Sequence, residues 1–108
     1  MMDELEFRKA TEAALDVLLQ HLIAREEKAD GAFEVDGGQG GLIHVLFEEP
    51  PGKFVITPNA AIQQIWISAL STSFKLDWDG AVGAFVLPKT GEQLEPLVDR
   101  LIEEFLEG

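Results

Sequence analysis

Residues 42–57 read LIHVLFEEPPGKFVIT and decide the fold of this chain. Two short runs rich in β-branched and aromatic residues, 42–47 and 53–57, flank a connection at 48–52 that contains two prolines and a glycine. Runs of this kind are typical of strands, and a short connection with Pro and Gly favours a hairpin between them. We therefore predict two consecutive strands of an antiparallel meander.

Further strands are predicted on both sides of this hairpin. Residues 33–36 (FEVD) alternate between apolar and charged side chains, as a half-buried strand does. Residues 62–67 (IQQIWI) are rich in β-branched and aromatic side chains and form a fourth strand. Two more strands are expected at 73–78 and 84–87, and the turn dipeptide Asp79-Gly80 separates them. The sequence thus predicts about six strands.

The run GGQGG at residues 37–41 lies between the first two predicted strands. It resembles a phosphate-binding loop only in composition, because it has no lysine and does not lead from a strand into a helix. We interpret this run as a plain hairpin loop.

Amphipathic helices are predicted at both ends of the chain. Residues 3–28 repeat apolar side chains at about 100° per residue, and Asp3 with Glu6 forms a capping-box pattern at the start. The face of this helix that we expect to be buried comprises Phe7, Thr11, Ala14, Leu15, Leu18 and Leu22. A second capping-box pattern, at Thr90 and Gln93, opens a helix that runs to the end of the chain with Pro96 in its first turn.

The order of helix, strands and helix predicts an α+β fold. Its antiparallel sheet of about six strands has the N- and C-terminal helices packed on one face. A chain of 108 residues has the usual size of one domain, so we expect residues 1–108 to form a single domain.

Composition excludes several classes of function. The net charge of -12, from 20 acidic and 8 basic residues, repels nucleic acid and anionic lipid and attracts cations and basic protein surfaces. The absence of cysteine excludes disulfides, thiolate nucleophiles and soft metal sites. No apolar stretch approaches the roughly 20 residues that span a bilayer, and the first residues are acidic where a secretory leader is basic. We expect a cytoplasmic protein with no nucleic-acid or membrane partner.

Acidic residues are concentrated between the end of the first predicted helix and the first predicted strand. The five carboxylates there belong to Glu26, Glu27, Asp30, Glu34 and Asp36. Negative charge at a helix C-terminus opposes the helix dipole by about 0.3–1 kcal/mol per residue, so helix stability does not explain their position. Carboxylates are hard oxygen ligands that suit iron, manganese or calcium at low affinity. A metal site and a solvated acidic face are both compatible with this spacing.

The two histidines, His21 and His44, have no neighbours at ligand spacing and are interpreted as packed or surface residues. No nucleophile and base stand at a recognisable catalytic spacing, so no enzymatic activity is expected.

Gln64 and Trp66 form the second candidate site. Alternation along a strand puts these two side chains on one face and those of Ile65 and Ile67 on the other. If the isoleucines meet the helices, Trp66 faces solvent and is a plausible anchor for a protein partner. A tryptophan packed under a loop is the alternative that the pattern leaves open.

Residues 54–66, FVITPNAAIQQIW, resemble the signature of the frataxin family, in which a strand ending V-I-N-x-Q leads through a short loop to Q-[IV]-W. Phe7, the acidic helix end, the run LDW at 76–78 and Gly91 are also similar to the family in order and spacing. The resemblance covers nearly the whole chain. Thr57 and Asn59 replace the asparagine and glutamine of the signature, and Ala32 stands where an aspartate is common.

The resemblance implies a frataxin-like α/β sandwich and an iron-binding accessory protein of iron-sulfur cluster assembly. It implies that Fe²⁺ or Fe³⁺ binds weakly to an acidic ridge formed by Glu26, Glu27, Asp30 and Glu34, with Asp36 close by. The partners that it implies are a cysteine desulfurase and an iron-sulfur scaffold protein, and the chain is expected to be a monomer without iron.

Partner binding is implied at the exposed sheet surface that carries Gln64 and Trp66, and we expect Asn59 to join them. A non-metal interaction module is the alternative function. It would keep the same scaffold and use the exposed sheet face around Trp66, with the carboxylates serving only solubility.

Overall fold

A computed structural model describes residues 2–37 and 41–108 of the protein. Within these ranges the chain forms two helices and six strands. In chain order they are α1 (Glu4–Lys28), β1 (Glu34–Gly37), β2 (Ile43–Glu48), β3 (Pro51–Asn59), β4 (Gln64–Ala69), β5 (Thr72–Asp79), β6 (Ala84–Val86) and α2 (Leu94–Glu107). The strands form one sheet in which every neighbouring pair is antiparallel and the spatial order equals the chain order. The predicted α+β architecture is confirmed.

One hydrophobic core holds the sheet and the two helices together. Strands β2 to β6 bury alternate side chains against the helices, because successive residues of a strand point to opposite faces, and β1 adds the partly buried Val35. The strand residues that enter the core are Ile43, Val45, Phe47, Phe54, Ile56, Ile65, Ile67, Ala69, Leu76 and Phe85. The helices contribute Phe7, Leu15, Leu18, Leu22, Leu94, Leu97, Val98, Leu101 and Ile102.

The start of α1 follows the sequence prediction closely. Asp3 accepts a hydrogen bond from the backbone N–H of Glu6 at 2.8 Å, and Glu6 accepts one from the N–H of Asp3 at 3.2 Å. This reciprocal pair satisfies two backbone donors that a helix N-terminus leaves without partners. The buried face of α1 is also as predicted, except that Ala14 is only partly buried.

The predicted fourth strand begins two residues too early. β4 starts at Gln64, because Ile62 and Gln63 belong to the turn after β3 and Gln63 has a φ of 54°. Ile62 is 54% exposed, so its apolar character does not mark a buried strand position.

The predicted capping box at Thr90 and Gln93 is wrong. α2 begins at Leu94, and the side chain of Gln93 makes no capping hydrogen bond. The Thr90 hydroxyl instead donates to the carboxylate of Glu92 and accepts from the backbone N–H of Glu92. Pro96 lies in the first turn of α2, as predicted.

The predicted glycine-rich hairpin loop falls partly outside the described residues, which omit 38–40. Gly37 ends β1, and Gly41 follows with a φ of 81°. A Cβ atom at Gly41 would lie 3.0 Å from the side chain of Leu15, so both backbone conformation and packing favour glycine at this position.

Charged side chains connect the two helices on their outer side. Nε2 of His21 lies 2.8 Å from a carboxylate oxygen of Asp99, and Nδ1 of His21 lies 3.2 Å from one of Glu95. Arg25 donates to Asp99 at 2.7 Å. His21 is thus half-buried in an interhelical contact. Within the described part of the chain, no helix combines the length and apolar character that a membrane span requires.

An ion pair joins Glu92, which precedes α2, to Arg100 within α2. Arg100 donates two hydrogen bonds to the carboxylate of Glu92, at 2.6 and 2.8 Å, and a third to Glu104 at 2.8 Å. The hydrogen bonds from Arg100 lower the pKa of the Glu92 carboxyl below its ordinary value of 4.5. Such a bidentate geometry is stronger than a single-contact surface pair.

We expect this ion pair to make stability depend on pH. Because the pKa of Glu92 is lower in the folded state, the pair stabilises fully above pH 4.5, and its contribution is lost as the pH falls through the folded-state pKa. Glu92→Gln should lower the free energy of unfolding by about 0.5–1 kcal/mol near neutral pH. Urea unfolding at neutral and at acidic pH measures this difference. If Glu92→Gln lowered the free energy of unfolding by the same amount at both pH values, the assignment would be contradicted. The control is Glu103→Gln, which removes the charge of an exposed carboxylate on α2.

Candidate functional site

The side of the sheet that faces away from the helices forms one continuous surface, here called the open sheet face. Cross-strand pairing places its members opposite one another, as in the pairs Asp36–His44, Thr57–Trp66 and Gln64–Asp77. All of its side chains are half-buried or exposed. They belong to Glu34, Asp36, His44, Leu46, Glu48, Pro51, Lys53, Val55, Thr57, Asn59, Gln64, Trp66, Ser68, Ser73, Lys75, Asp77, Asp79, Ala84 and Val86.

Trp66 occupies the middle of this face, on β4. Ile65 and Ile67 on either side of it are fully buried beneath the helices, so the predicted orientation of Trp66 is confirmed. The indole N–H of Trp66 donates to the side-chain oxygen of Gln64 at 2.8 Å, and the amide nitrogen of Gln64 donates to Asp77 at 2.8 Å. The ammonium group of Lys75 lies 4.8 Å from the centroid of the indole ring.

The three residues predicted to bind a partner are neighbours on the open sheet face. Asn59 ends β3 directly opposite Gln64 on β4, and Trp66 lies two residues further along the same strand. Their role in binding stays a prediction. Asp77 and Lys75, which contact Gln64 and Trp66, were not predicted as site residues from the sequence. Only the register between β4 and β5 brings them to this point.

The five acidic residues predicted as metal ligands follow one border of the molecule, here called the acidic edge: Glu26, Glu27, Asp30, Glu34 and Asp36. Glu27 is exposed on the last turn of α1, and Asp30 is exposed in the turn that follows, with a φ of 51°. Glu34 and Asp36 are exposed on β1, the outermost strand, and both belong to the open sheet face.

Glu26 differs from the other four carboxylates. It is half-buried, and one of its oxygens accepts a hydrogen bond of 2.6 Å from the backbone N–H of Val35 on β1. An edge strand exposes backbone groups that another chain can pair with, and a helix side chain that accepts one of them covers part of that edge. Glu26 therefore ties the end of α1 to the outer strand of the sheet.

The acidic edge is an open row of oxygen donors. Among residues 2–37 and 41–108, no three His, Asp or Glu side chains are grouped so that they could hold a metal ion between them. The donor chemistry fits a hard cation, because carboxylate oxygens are the ligands that such ions prefer. With exposed and separated donors, this arrangement is compatible with weak, poorly selective binding.

A separate groove of about 350 Å³ lies between α1, β6 and the start of α2. It is lined mainly by apolar side chains, including Ala10, Ala14, Val17, Trp78 and Phe85. Glu95 is the sole acidic residue on its described wall, so this groove presents no nucleophile and base as a pair.

Comparison with known proteins agrees with this architecture. The sequence profile described as a frataxin-like domain matches residues 1–108. The chain belongs to the frataxin family.

Two bacterial relatives are each named iron-sulfur cluster assembly protein CyaY. The one from Stutzerimonas stutzeri (strain A1501) is 28% identical over 76 residues, which cover 69% of this chain and 68% of the relative. The one from Azotobacter vinelandii (strain DJ) is 28% identical over 97 residues, which cover 87% of each chain.

A solved frataxin structure shares the fold of this frataxin-family chain. Frataxin from Psychromonas ingrahamii superposes with a TM-score of 0.72, over 95% of this chain and 90% of the other. The two sequences are 19% identical, so the likeness supports the common fold of helices and sheet and carries no residue assignments.

We expect Glu26→Ala to loosen the outer strand of the sheet. Removing the carboxylate leaves the N–H of Val35 without its acceptor, which should cost about 1 kcal/mol of unfolding free energy and speed amide exchange at Val35. Glu26→Gln keeps an acceptor oxygen and should lose less. Glu27→Ala removes an exposed carboxylate of the same helix turn and serves as the control. Unchanged exchange at Val35 in Glu26→Ala would overturn this assignment.

Proposed function

We propose that this chain is an accessory protein of iron-sulfur cluster assembly, without enzymatic activity of its own. It binds Fe²⁺ or Fe³⁺ weakly at the acidic edge and modulates a complex of cysteine desulfurase and scaffold protein in the cytoplasm. Membership of the frataxin family and the names of both CyaY relatives support this role. The observation that carries the proposal is the continuity of the two candidate sites, since Glu34 and Asp36 share the open sheet face with Trp66.

Iron is the cargo of this proposed function and meets hard ligands at the acidic edge. Exposed carboxylates stay hydrated, so each contributes little alone, and attraction over longer distances is screened beyond about 8 Å at physiological salt. The net charge of -12 adds a general attraction for cations. Weak and salt-sensitive binding is the expected consequence.

The same charge serves recognition of a protein partner. A basic surface on the desulfurase would be steered toward the acidic edge, and contact on the open sheet face would then determine how long the complex lasts. Trp66 provides the large aromatic surface that commonly anchors an interface, with Gln64 and Asn59 beside it.

A non-metal interaction module is the second candidate function. The hydrogen bonds from Trp66 to Gln64 and from Gln64 to Asp77 order the anchor without any metal ion, which favours this alternative. In that case partner binding would depend on Trp66 and be insensitive to the carboxylates of the acidic edge.

An anaerobic Fe²⁺ titration followed by amide NMR tests the iron proposal. We expect line broadening confined to the end of α1 and to β1, where the acidic edge lies. The triple variant Glu27→Gln, Asp30→Asn, Glu34→Gln should abolish this broadening, because it removes three oxygen anions and keeps the bond between Glu26 and Val35.

The matched control is Glu4→Gln, Glu12→Gln, Asp16→Asn. It changes the same number of Glu and Asp residues at exposed positions of α1 that do not belong to the acidic edge. This control should titrate like the original chain. If both triple variants lost iron to the same extent, or if the original chain showed no response, the acidic edge would not be an iron site.

Trp66→Ala tests the partner proposal. We expect it to weaken binding to a purified complex of cysteine desulfurase and scaffold protein by about 30-fold, the effect of losing a buried aromatic anchor. Ser68→Ala removes the hydroxyl group of the next side chain of β4 on the open sheet face and should bind normally. Full binding by Trp66→Ala would exclude the anchor. The charge variants separate the two candidate functions, because the acidic-edge triple should weaken the complex only in the iron-linked function.

A further inference from the structure

Four side chains on β4 and β5 form a contact network on the open sheet face. The indole N–H of Trp66 donates to Gln64, the Gln64 amide donates to Asp77, and Lys75 lies against the indole ring. Gln64 and Trp66 are two residues apart on one strand, and Asp77 and Lys75 are their direct partners on the next. The network therefore depends on register as well as on residue type.

The direction of the hydrogen bonds follows from the chemistry of the two ends. An ionised carboxylate such as Asp77 can only accept, and the indole nitrogen of Trp66 can only donate. The amide of Gln64 lies between them, and only one orientation of this amide satisfies both neighbours. Its NH₂ group must face Asp77, which turns its oxygen toward the indole. The indole and Asp77 thus require the same orientation of the amide, and Asp77 holds the Gln64 side chain in place from its other end.

Saturation of the indole nitrogen limits how a partner can use Trp66. Its single N–H is already donated to Gln64, and the cation of Lys75 lies 4.8 Å from the ring centroid. Thr57 flanks the same residue from β3. What remains for a partner is the apolar ring surface, held at a fixed angle to the sheet. Fixing an anchor in advance reduces the conformational entropy that binding would otherwise cost.

We propose that Asp77 is a positioning residue for partner docking, acting through Gln64 to hold the indole of Trp66 in its binding orientation. This inference rests on the proposed role of Trp66 as the anchor for the desulfurase complex. The partner contacts the ring surface of Trp66 and makes no hydrogen bond to its nitrogen. Asp77 itself does not need to touch the partner.

A purely structural role for Asp77 makes a different prediction. If the bond between Gln64 and Asp77 only joined β4 to β5, its loss would lower stability and leave the indole unchanged. The decisive readout is therefore the indole ¹H–¹⁵N signal of Trp66, with its chemical shift and its rate of hydrogen exchange. A fluorescence readout would mix this signal with that of Trp78, the second tryptophan.

The experiment compares Asp77→Ala with Asp77→Asn in the full chain. We expect Asp77→Ala to speed exchange of the Trp66 indole proton about three- to tenfold, because the Gln64 side chain then loses the hydrogen bond that holds it against the indole. Binding to purified desulfurase and scaffold protein should weaken by a similar factor. Asp77→Asn retains an acceptor oxygen and should restore part of both effects. Asp79→Asn removes the same charge from β5 without any contact to Gln64 and is the control.

A second variant tests the path through Gln64. Gln64→Leu removes both the acceptor for the indole and the donor to Asp77, and it adds no charge beside Asp77. In this background Asp77→Ala should no longer change the indole signal, which a double-mutant comparison detects.

The outcomes separate this inference from the proposed function. If Asp77→Ala leaves the indole exchange unchanged while Trp66→Ala abolishes binding, the positioning role is wrong and the anchor stands. If Asp77→Ala alters the indole and neither it nor Trp66→Ala affects binding, docking at Trp66 is wrong. Loss of binding in the Asp79→Asn control as well would assign the effect to charge alone and overturn the positioning role.

Discussion

Alternation of side chains along the antiparallel strands is the constraint on which the rest of this structure depends. Each strand supplies one row of side chains to the helices and a second row to the open sheet face. On β4, Ile65 and Ile67 are fully buried and Trp66 between them is half-buried. A register shift of one residue would exchange the two rows, so the hydrophobic core also fixes which residues a partner meets. Packing on one side of the sheet thereby specifies recognition on the other.

Residues from the helices or their ends contact both edge strands of the sheet, β1 and β6. β1 has its Val35 N–H covered by Glu26 from the end of α1. At the opposite border, Val86 of β6 forms a bridge with Gln93, which occupies the N-cap position of α2. Both helices thus contribute a residue near one of their ends to an edge of the sheet, which limits pairing with other chains. The contact of Glu26 also explains part of the acidic sequence at the end of α1. A carboxylate there interacts unfavourably with the helix dipole, but it accepts a hydrogen bond from the strand beside it.

Most of the fold could be predicted because its signals are local. The capping box of Asp3 and Glu6 and the periodic apolar face of α1 lie within one continuous segment, and the hairpin of β2 and β3 is coded by sixteen consecutive residues, 42–57. The errors occurred where a local pattern had two physical meanings. Ile62 is β-branched and yet lies in a turn, and Thr90 has the side chain of a helix cap and yet closes a turn with Glu92. No short window of sequence records the positive φ at Gln63 or the start of α2 at Leu94.

For the candidate sites, the sequence by itself determined which chemistry is present. It showed a cysteine-free chain with a row of carboxylates at and beyond the end of α1 and a tryptophan that alternates with isoleucines. It also showed a resemblance to the family to which the chain belongs. Only the tertiary structure decided which of these groups meet. Asp77 and Lys75 reach Gln64 and Trp66 through the register of β4 with β5, and Glu26 reaches Val35 because α1 ends beside β1. The physical reason is that a residue's chemistry is a property of its own atoms, whereas its contacts depend on strand register and helix packing, which the whole core determines together.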